Sequence, residues 1–186
     1  MDEPTEPAFI TPRLRLDRLL ASDAPDLFAY RADDAVARYQ GWKPAAEADA
    51  RAFIARQAEQ SFAEPASWFQ LAIRERRSAE LVGDLGIHFP AGVDEAIEFG
   101  ISLRPERQGR GYAREAMAEM LTIAFGTWGY RRAIGSVDPR NVASIALLRS
   151  LGFRQEAHHV ESYRFRGEWV DDVIFAMLAR EWPKPG

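Results

Sequence analysis

The stretch Ile97–Met117, IEFGISLRPERQGRGYAREAM, decides the fold. It reads as a strand, an arginine-rich turn with two glycines, and the start of a helix. Apolar and polar residues mix through Ile97, Phe99, Ile101 and Leu103, as in a short strand. Pro105 cannot donate to a sheet ladder and ends it. Gly109 and Gly111 then leave the backbone open to close approach. Ala113, Met117, Leu121 and Ala124 give the following helix an apolar face. Amides in such a turn and at a helix start lack partners, so they can hold an anion. Arg104, Arg107, Arg110 and Arg114 crowd the same place. The stretch is either a phosphate or pyrophosphate seat, or a flexible turn with solvated arginines. It is not a mononucleotide loop, because no Gly-Lys-Ser/Thr follows. Nor is it the dinucleotide fingerprint, whose three glycines sit near the first strand of a βαβ unit.

Working back from this stretch, Trp68–Ile73 and Leu81–Phe89 read as a hairpin turned at Glu75–Ser78, with Gly83 and Gly86 marking twist or a bulge. Pro90–Asp94 turns the chain into Ala96–Leu103. Glu47–Gln60 is an alanine-rich helix, Asp34–Tyr39 a shorter helical piece, and Gln40–Pro44 a break. Ser22 is placed to cap a helix running toward Asp33. Arg13–Leu19 alternates charge with leucine, as a strand with one wet face does. Residues 1–12, with three prolines, form an extended lead-in.

Working forward, the helix from Gly111 or Tyr112 ends around Phe125–Gly129, and Arg132–Val137 is a strand. Asn141 opens a short helix through Ile145, Leu148 and Leu151, with Gly152 beyond its carboxyl end. Phe153–Tyr163 and Trp169–Leu178 are strands joined by a turn at Arg166–Glu168. The order predicts an α/β (α+β) fold: one mixed, mostly antiparallel sheet with helices on its faces. No linker, repeat or low-complexity tract interrupts it. Residues 1–186 therefore read as one domain, with a core of about 10–180.

A formal net charge of -4 argues against a nonspecific nucleic-acid binder. The chain has no cysteine, which excludes disulfides, thiolate nucleophiles and cysteine metal sites and fits a reducing, cytoplasmic setting. The first residues, MDEPTEPAFITP, lack the pattern of a signal peptide. No run approaches the ~18 apolar residues of a membrane span. His158 and His159 are strand neighbours pointing to opposite faces, so no paired metal site is expected.

Taken together, TPRLRLDRL, EFGISLRPERQGRGYAREAM, DPRNVASIALLRSLGF and FRGEWVDDVIFAML resemble the GNAT superfamily of acyl-coenzyme A transferases. The chain is most similar to the RimJ/RimL-type branch, which acetylates the amino termini of ribosomal proteins. The resemblance covers nearly the whole chain. It implies the GNAT fold, acetyl-CoA as cosubstrate and an amine acceptor, either a protein amino terminus or a small molecule. It also admits a homodimer. The family motif is Gln/Arg-x-x-Gly-x-Gly/Ala, whose glycines match Gly109 and Gly111. The amides around Gln108, Gly109, Arg110, Gly111, Tyr112 and Ala113 would hold the pyrophosphate. The motif's leading position falls on Glu106, a departure. The pantetheine arm would pair with open backbone of the strand through Ile101 and Leu103. Asn141 and Ser144 match an Asn-x-x-Ser pattern, in which the asparagine looks toward the pantetheine and the serine toward the thioester sulfur.

Acetyl transfer needs an acceptor for the amine's proton, a donor for the carbonyl oxygen and a proton for the departing sulfur. Holding two substrates in line supplies much of the rate, with no covalent enzyme intermediate. Glu98 is the candidate base, since a carboxylate among apolar neighbours has a raised pKa. The alternatives are Glu95, His88, or an outward glutamate that merely solvates the sheet. Ser144 is the candidate donor to the sulfur, or a first-turn serine bonded locally. Asn141 is a helix cap, a ligand contact, or both. Tyr112 either lines the site or packs on its helix. Tyr30, Tyr39, Trp42 and Trp68 are candidates for the acceptor pocket or for the core. Trp169, Asp171 and Asp172 are candidates to draw in a cationic amine. The leading expectation is an acetyl-CoA-dependent N-acetyltransferase. The alternatives are a noncatalytic acyl-CoA-binding or regulatory module and an enzyme for small amines such as polyamines, amino acids or aminoglycosides.

Overall fold

The computed structural model describes residues 8–92 and 96–183. Its strands are β1 (Phe9–Ile10), β2 (Leu14–Arg18), β3 (Ser67–Glu75), β4 (Leu81–Phe89), β5 (Ile97–Leu103), β6 (Arg132–Val137), β7 (Arg154–Phe165) and β8 (Glu168–Leu178). Its helices are α1 (Ala24–Arg31), α2 (Asp34–Ala37), α3 (Glu47–Glu59), α4 (Tyr112–Gly126) and α5 (Val142–Ser150). The strands form one sheet in the order β1-β2-β3-β4-β5-β6-β8-β7. Every pairing is antiparallel except β5 with β6.

Burial follows the pattern of each strand. Leu14 and Leu16 of β2 point inward and Arg15 outward. β4 lies near the middle of the sheet and is almost wholly buried. On one face, α4 sets Met117, Met120 and Leu121 against Phe69, Leu85 and Ile87 in the main core. On the other, α1 and α3 bring Leu27, Tyr30 and Ile54 onto Ala72 and Leu81. Each large buried side chain contributes roughly 1.5–3 kcal/mol.

The structure corrects some local expectations. Part of the lead-in is a strand: β1 pairs with β2, Phe9 opposite Leu16. Ser22 does not cap α1. Asp23 fixes that turn, accepting from the Leu20 amide at 2.7 Å while Arg74 holds the same carboxylate. α2 stops at Ala37, and Asp33 caps it through the amides of Ala35 and Val36. The β3–β4 register slips where Ile73 faces Gly83 and Arg74 faces Leu81, leaving Val82 as an extra residue beside Gly83. A side chain at Gly83 would sit 2.3 Å from the Ser102 carbonyl, so glycine lets β5 lie this close. No helix among the described residues is long and apolar enough to cross a membrane.

The feature that positions the site is the seam between β5 and β6. These strands pair only at Ile97 with Ala133 and at Glu98 with Ile134. Beyond that point β5 continues to Leu103 and β6 to Val137 without pairing to each other. Leu148 of α5 lies 3.1 Å from where a Cβ of Gly135 would stand, so α5 packs tightly under the diverging part of β6.

Candidate functional site

Two clefts flank the divergence of β5 and β6. The first, of about 480 Å³, runs from the glycine turn to the start of α5. The second, of about 340 Å³, lies between β5, β6 and the β7–β8 hairpin. Tyr39, Gln40, Ile101, Asn141, Ser144 and Leu147 line both, so the two spaces meet at these residues.

Backbone and small residues build the first cleft. Gly109 (φ +71°) and Gly111 (φ +78°) both hold the left-handed conformation that glycine tolerates best. Nothing lies within 4 Å of a Cβ built on Gly109. Gly111 is the N-cap of α4 and has no side chain to satisfy the amides of the first turn. Gly109, Gly111, Tyr112, Ala113 and Arg114 line the cleft. Ser102 also lines it and is 5% exposed, and its hydroxyl is buried with no hydrogen-bond partner among the described residues. Open amides, an open glycine and a buried unpartnered hydroxyl fit a long polar ligand such as coenzyme A.

The arginine cluster resolves differently from its sequence reading. Arg104 pairs with Glu106 at 2.8 Å and lies 3.4 Å from Asp26. Arg107 pairs with Glu80. Of the four arginines, Arg114 is the one among the residues lining the first cleft. Gln108 donates its side-chain amide to the Leu103 carbonyl at 3.1 Å, so that oxygen is already engaged. The Tyr112 ring is buried and its hydroxyl donates to Glu75 at 2.8 Å.

Side chains build the second cleft. Glu98 sits at the last pairing of β5 with β6 and opposite His88 of β4. Burial pushes its carboxyl above the usual carboxylate range, and the Asp172 charge adds to this; His88 and the Ser136 amide oppose it. Asp172 accepts from the Ser136 hydroxyl at 2.7 Å. Asp138 and Asp171 also line the cleft. Arg140 binds Asp138, while the Glu161 amide and His158 bind Asp171. No lysine or arginine stands among the described lining residues. Trp68 forms one wall, over Gly86 and Gly100, with its ring 5.2 Å from His88. Arg166, at the β7–β8 turn, donates to the Ala37 carbonyl at 3.0 Å, and the Tyr39 hydroxyl donates to the Arg140 carbonyl at 3.1 Å. The hairpin and the end of α2 are thereby tied together beside the cleft.

Ser144 lies in the first turn of α5, where its amide donates to the Asn141 carboxamide oxygen at 3.2 Å. Asn141 therefore caps the helix and borders both clefts. Of the four aromatic candidates for pocket or core, Tyr39 and Trp68 line the second cleft. Tyr30 does not: it is core, and its hydroxyl donates to the buried Asp84. Trp42 stacks on Phe53 with centroids 4.7 Å apart. Trp169 is 62% exposed and outside the cleft lining. Glu95 falls outside the described residues. Among the described residues no group of three or more His, Cys, Asp or Glu is arranged to hold a metal ion.

Sequence reading missed Ser136, Gln40, Tyr163 and the Asp84 network. Asp84 receives Tyr30, Arg31 and Gln70, and Arg31 reaches on to Gln40 at 3.2 Å. A lone acid inside LVGDLGIHF was a readable sign of a paired buried charge. Ser136, Gln40 and Tyr163 carry no comparable local signal.

A family model described as an acetyltransferase (GNAT) domain matches residues 13–154. The uncharacterized N-acetyltransferase p20 of Bacillus licheniformis is 28% identical over 173 residues, covering 92% of this chain and 96% of that protein. The [ribosomal protein uS5]-alanine N-acetyltransferase of Escherichia coli is 25% identical over 179 residues, covering 91% and 92%. The crystal structure of a GNAT-family acetyltransferase from Bacillus anthracis superposes with a TM-score of 0.84 at 23% identity, over 94% of this chain and all of that one, and so shares the fold.

Proposed function

Because the chain belongs to the acetyltransferase (GNAT) domain family, we propose that it transfers acetyl from acetyl-CoA to a primary amine in one direct step, with Glu98 as base. The observation that carries this reading is the half-buried Glu98 where the strands part, its carboxyl raised by burial. A carboxylate whose affinity for protons is raised is better suited to take one from an ammonium.

Bound acetyl-CoA supplies the activated acyl group. The chain's residues do the rest. Amides from Gly109 to Arg114 hold the pyrophosphate, and the free edge of β5 at Ile101 pairs with the arm. The Leu103 carbonyl is engaged by Gln108, so Leu103 serves as wall. Ser102 offers the arm its hydroxyl, and Asn141 borders it. Glu98 accepts one proton from the ammonium and later releases it to solvent; the freed amine nitrogen forms its bond to the acetyl carbon as the carbon–sulfur bond breaks, and its second proton leaves to solvent. Ser144, at the junction of the two clefts, donates a proton to the departing sulfur and regains one from solvent.

The acidic second cleft suits a cationic acceptor, and its hairpin tie favours a slim one, a small amine. The second reading is a protein amino terminus, supported by the likeness to the uS5-alanine acetyltransferase. A thiol-release assay with acetyl-CoA against polyamines, amino acids, aminoglycosides and peptides with free amino termini tests both. Turnover on small amines alone supports the first, and turnover on peptides alone the second. Tight acetyl-CoA binding without turnover across the panel would instead support a noncatalytic module.

A further inference from the structure

The glycine turn leaves a choice unmade. A peptide group is rigid and planar, so the Arg110 carbonyl and the Gly111 N–H point in opposite directions. Turning that group over changes φ at Gly111, and glycine accepts either sign. In one orientation the turn offers the first cleft an N–H. In the other it offers a carbonyl oxygen, which repels phosphate. Gly111 itself does not select between them.

We infer that Arg13 makes the choice: it is a positioning residue that holds the Arg110 carbonyl away from the ligand, so that the Gly111 N–H faces the coenzyme pyrophosphate. The inference rests on the reading of the turn as that seat. Arg13 donates from Nη1 to the Arg110 carbonyl at 2.9 Å, across 97 residues of sequence. It lies on the far side of the turn, in a shallow groove with Glu115 and Arg114, and is not among the residues lining the first cleft. Gly111 borders both spaces. The carbonyl is therefore drawn to one side and the N–H directed to the other.

Arg13 is itself held firmly. Its Nε donates to Glu115 Oε2 at 2.6 Å and its backbone amide to Glu115 Oε1 at 2.8 Å. Thr11 donates to the same carboxylate. The guanidinium lies 4.7 Å from the Tyr112 ring centroid, and Tyr112 is anchored in turn by Glu75. A carboxylate on α4, an arginine before β2 and a tyrosine at the helix start thus fix one rigid donor.

The test is calorimetry of coenzyme A binding to the full chain and its Arg13→Ala variant, with turnover on S-acetylpantetheine, which lacks the pyrophosphate. We expect Arg13→Ala to weaken coenzyme A about tenfold, the effect of one lost charge-assisted hydrogen bond. KM for acetyl-CoA should rise rather than kcat fall, and kcat/KM for S-acetylpantetheine should stay within about twofold. In the unaltered protein, coenzyme A should slow hydrogen exchange at the Gly111 amide, a readout that stands even if the variant fails to fold. Equal coenzyme A affinity in the variant overturns the role of Arg13 alone. An equal loss on S-acetylpantetheine overturns it too, as does a Gly111 amide that coenzyme A leaves unprotected. No coenzyme A binding by the unaltered protein overturns this inference together with the acetyltransferase reading.

Discussion

The two clefts differ in what builds them. The first presents backbone and small residues, Gly109, Gly111 and Ala113, with a hydroxyl at Ser102. The second presents carboxylates and rings, Glu98, Asp172, Trp68 and Tyr163, drawn from β3, β5, β7 and β8. A cleft made of main chain recognises what all its ligands share, in the function proposed above a phosphate-bearing arm. A cleft made of side chains recognises what distinguishes one acceptor from another. The division predicts that substitutions in the two clefts affect different constants.

The largest separation should come from Glu98→Gln. Turnover is expected to fall about 100-fold or more while calorimetric affinity for acetyl-CoA stays unchanged. The same variant tests the pH dependence. A raised carboxyl pKa means the base is protonated, and idle, below that pKa, so wild-type kcat should fall with falling pH through it. Glu98→Gln should lose that acid limb; a pH-rate profile that keeps it would remove Glu98 from the role of base.

Gly109→Val should do the reverse, weakening acetyl-CoA with little effect on kcat at saturation. The left-handed backbone there costs a branched residue about 1–2 kcal/mol; a turn that relaxes to escape that strain must be restored on binding, which weakens affinity by up to roughly 5- to 30-fold. Unchanged affinity by calorimetry would displace the pyrophosphate from this turn. Ser144→Ala sits at the junction and should lower kcat roughly 2- to 10-fold, read by stopped-time thiol release. Asp172→Asn should raise KM for a cationic acceptor by at most about fivefold and leave KM for acetyl-CoA alone. If both constants moved together, the two clefts would not be separable.

The same contrast explains what was legible in the sequence. Gly109, Gly111 and the helix beginning at Tyr112 are contiguous, so their spacing announces the turn. The strands flanking them could be read because apolar residues recur with the period of the sheet. The seam could not be read from periodicity. Ile97 to Leu103 looks the same whether or not β6 follows beside it, and that depends on where α5 sets Leu148 against Gly135. The acceptor side was harder still. Tyr30 and Tyr39 are both tyrosines near helix ends, yet one is core beside Asp84 and the other borders both clefts. The arginine cluster misled for a related reason. Glu80, Asp26 and Glu106 engage Arg104 and Arg107, and two of those partners come from distant segments.

The short pairing of β5 with β6 also bears on the mechanics of the molecule. Two facing pairs, at Ile97 and Glu98, stitch a five-stranded plate to a three-stranded one. Main-chain bonds make each plate stiff across its width, whereas the stitch has few of them. One buried core, from Leu71 and Leu85 of the first plate to Phe175 and Met177 of the second, lies across this stitch, which contains the residue assigned as base. The seam is thus closed by backbone pairing at Glu98 and open beyond it, so that residue is held on paired main chain at the very edge of the gap.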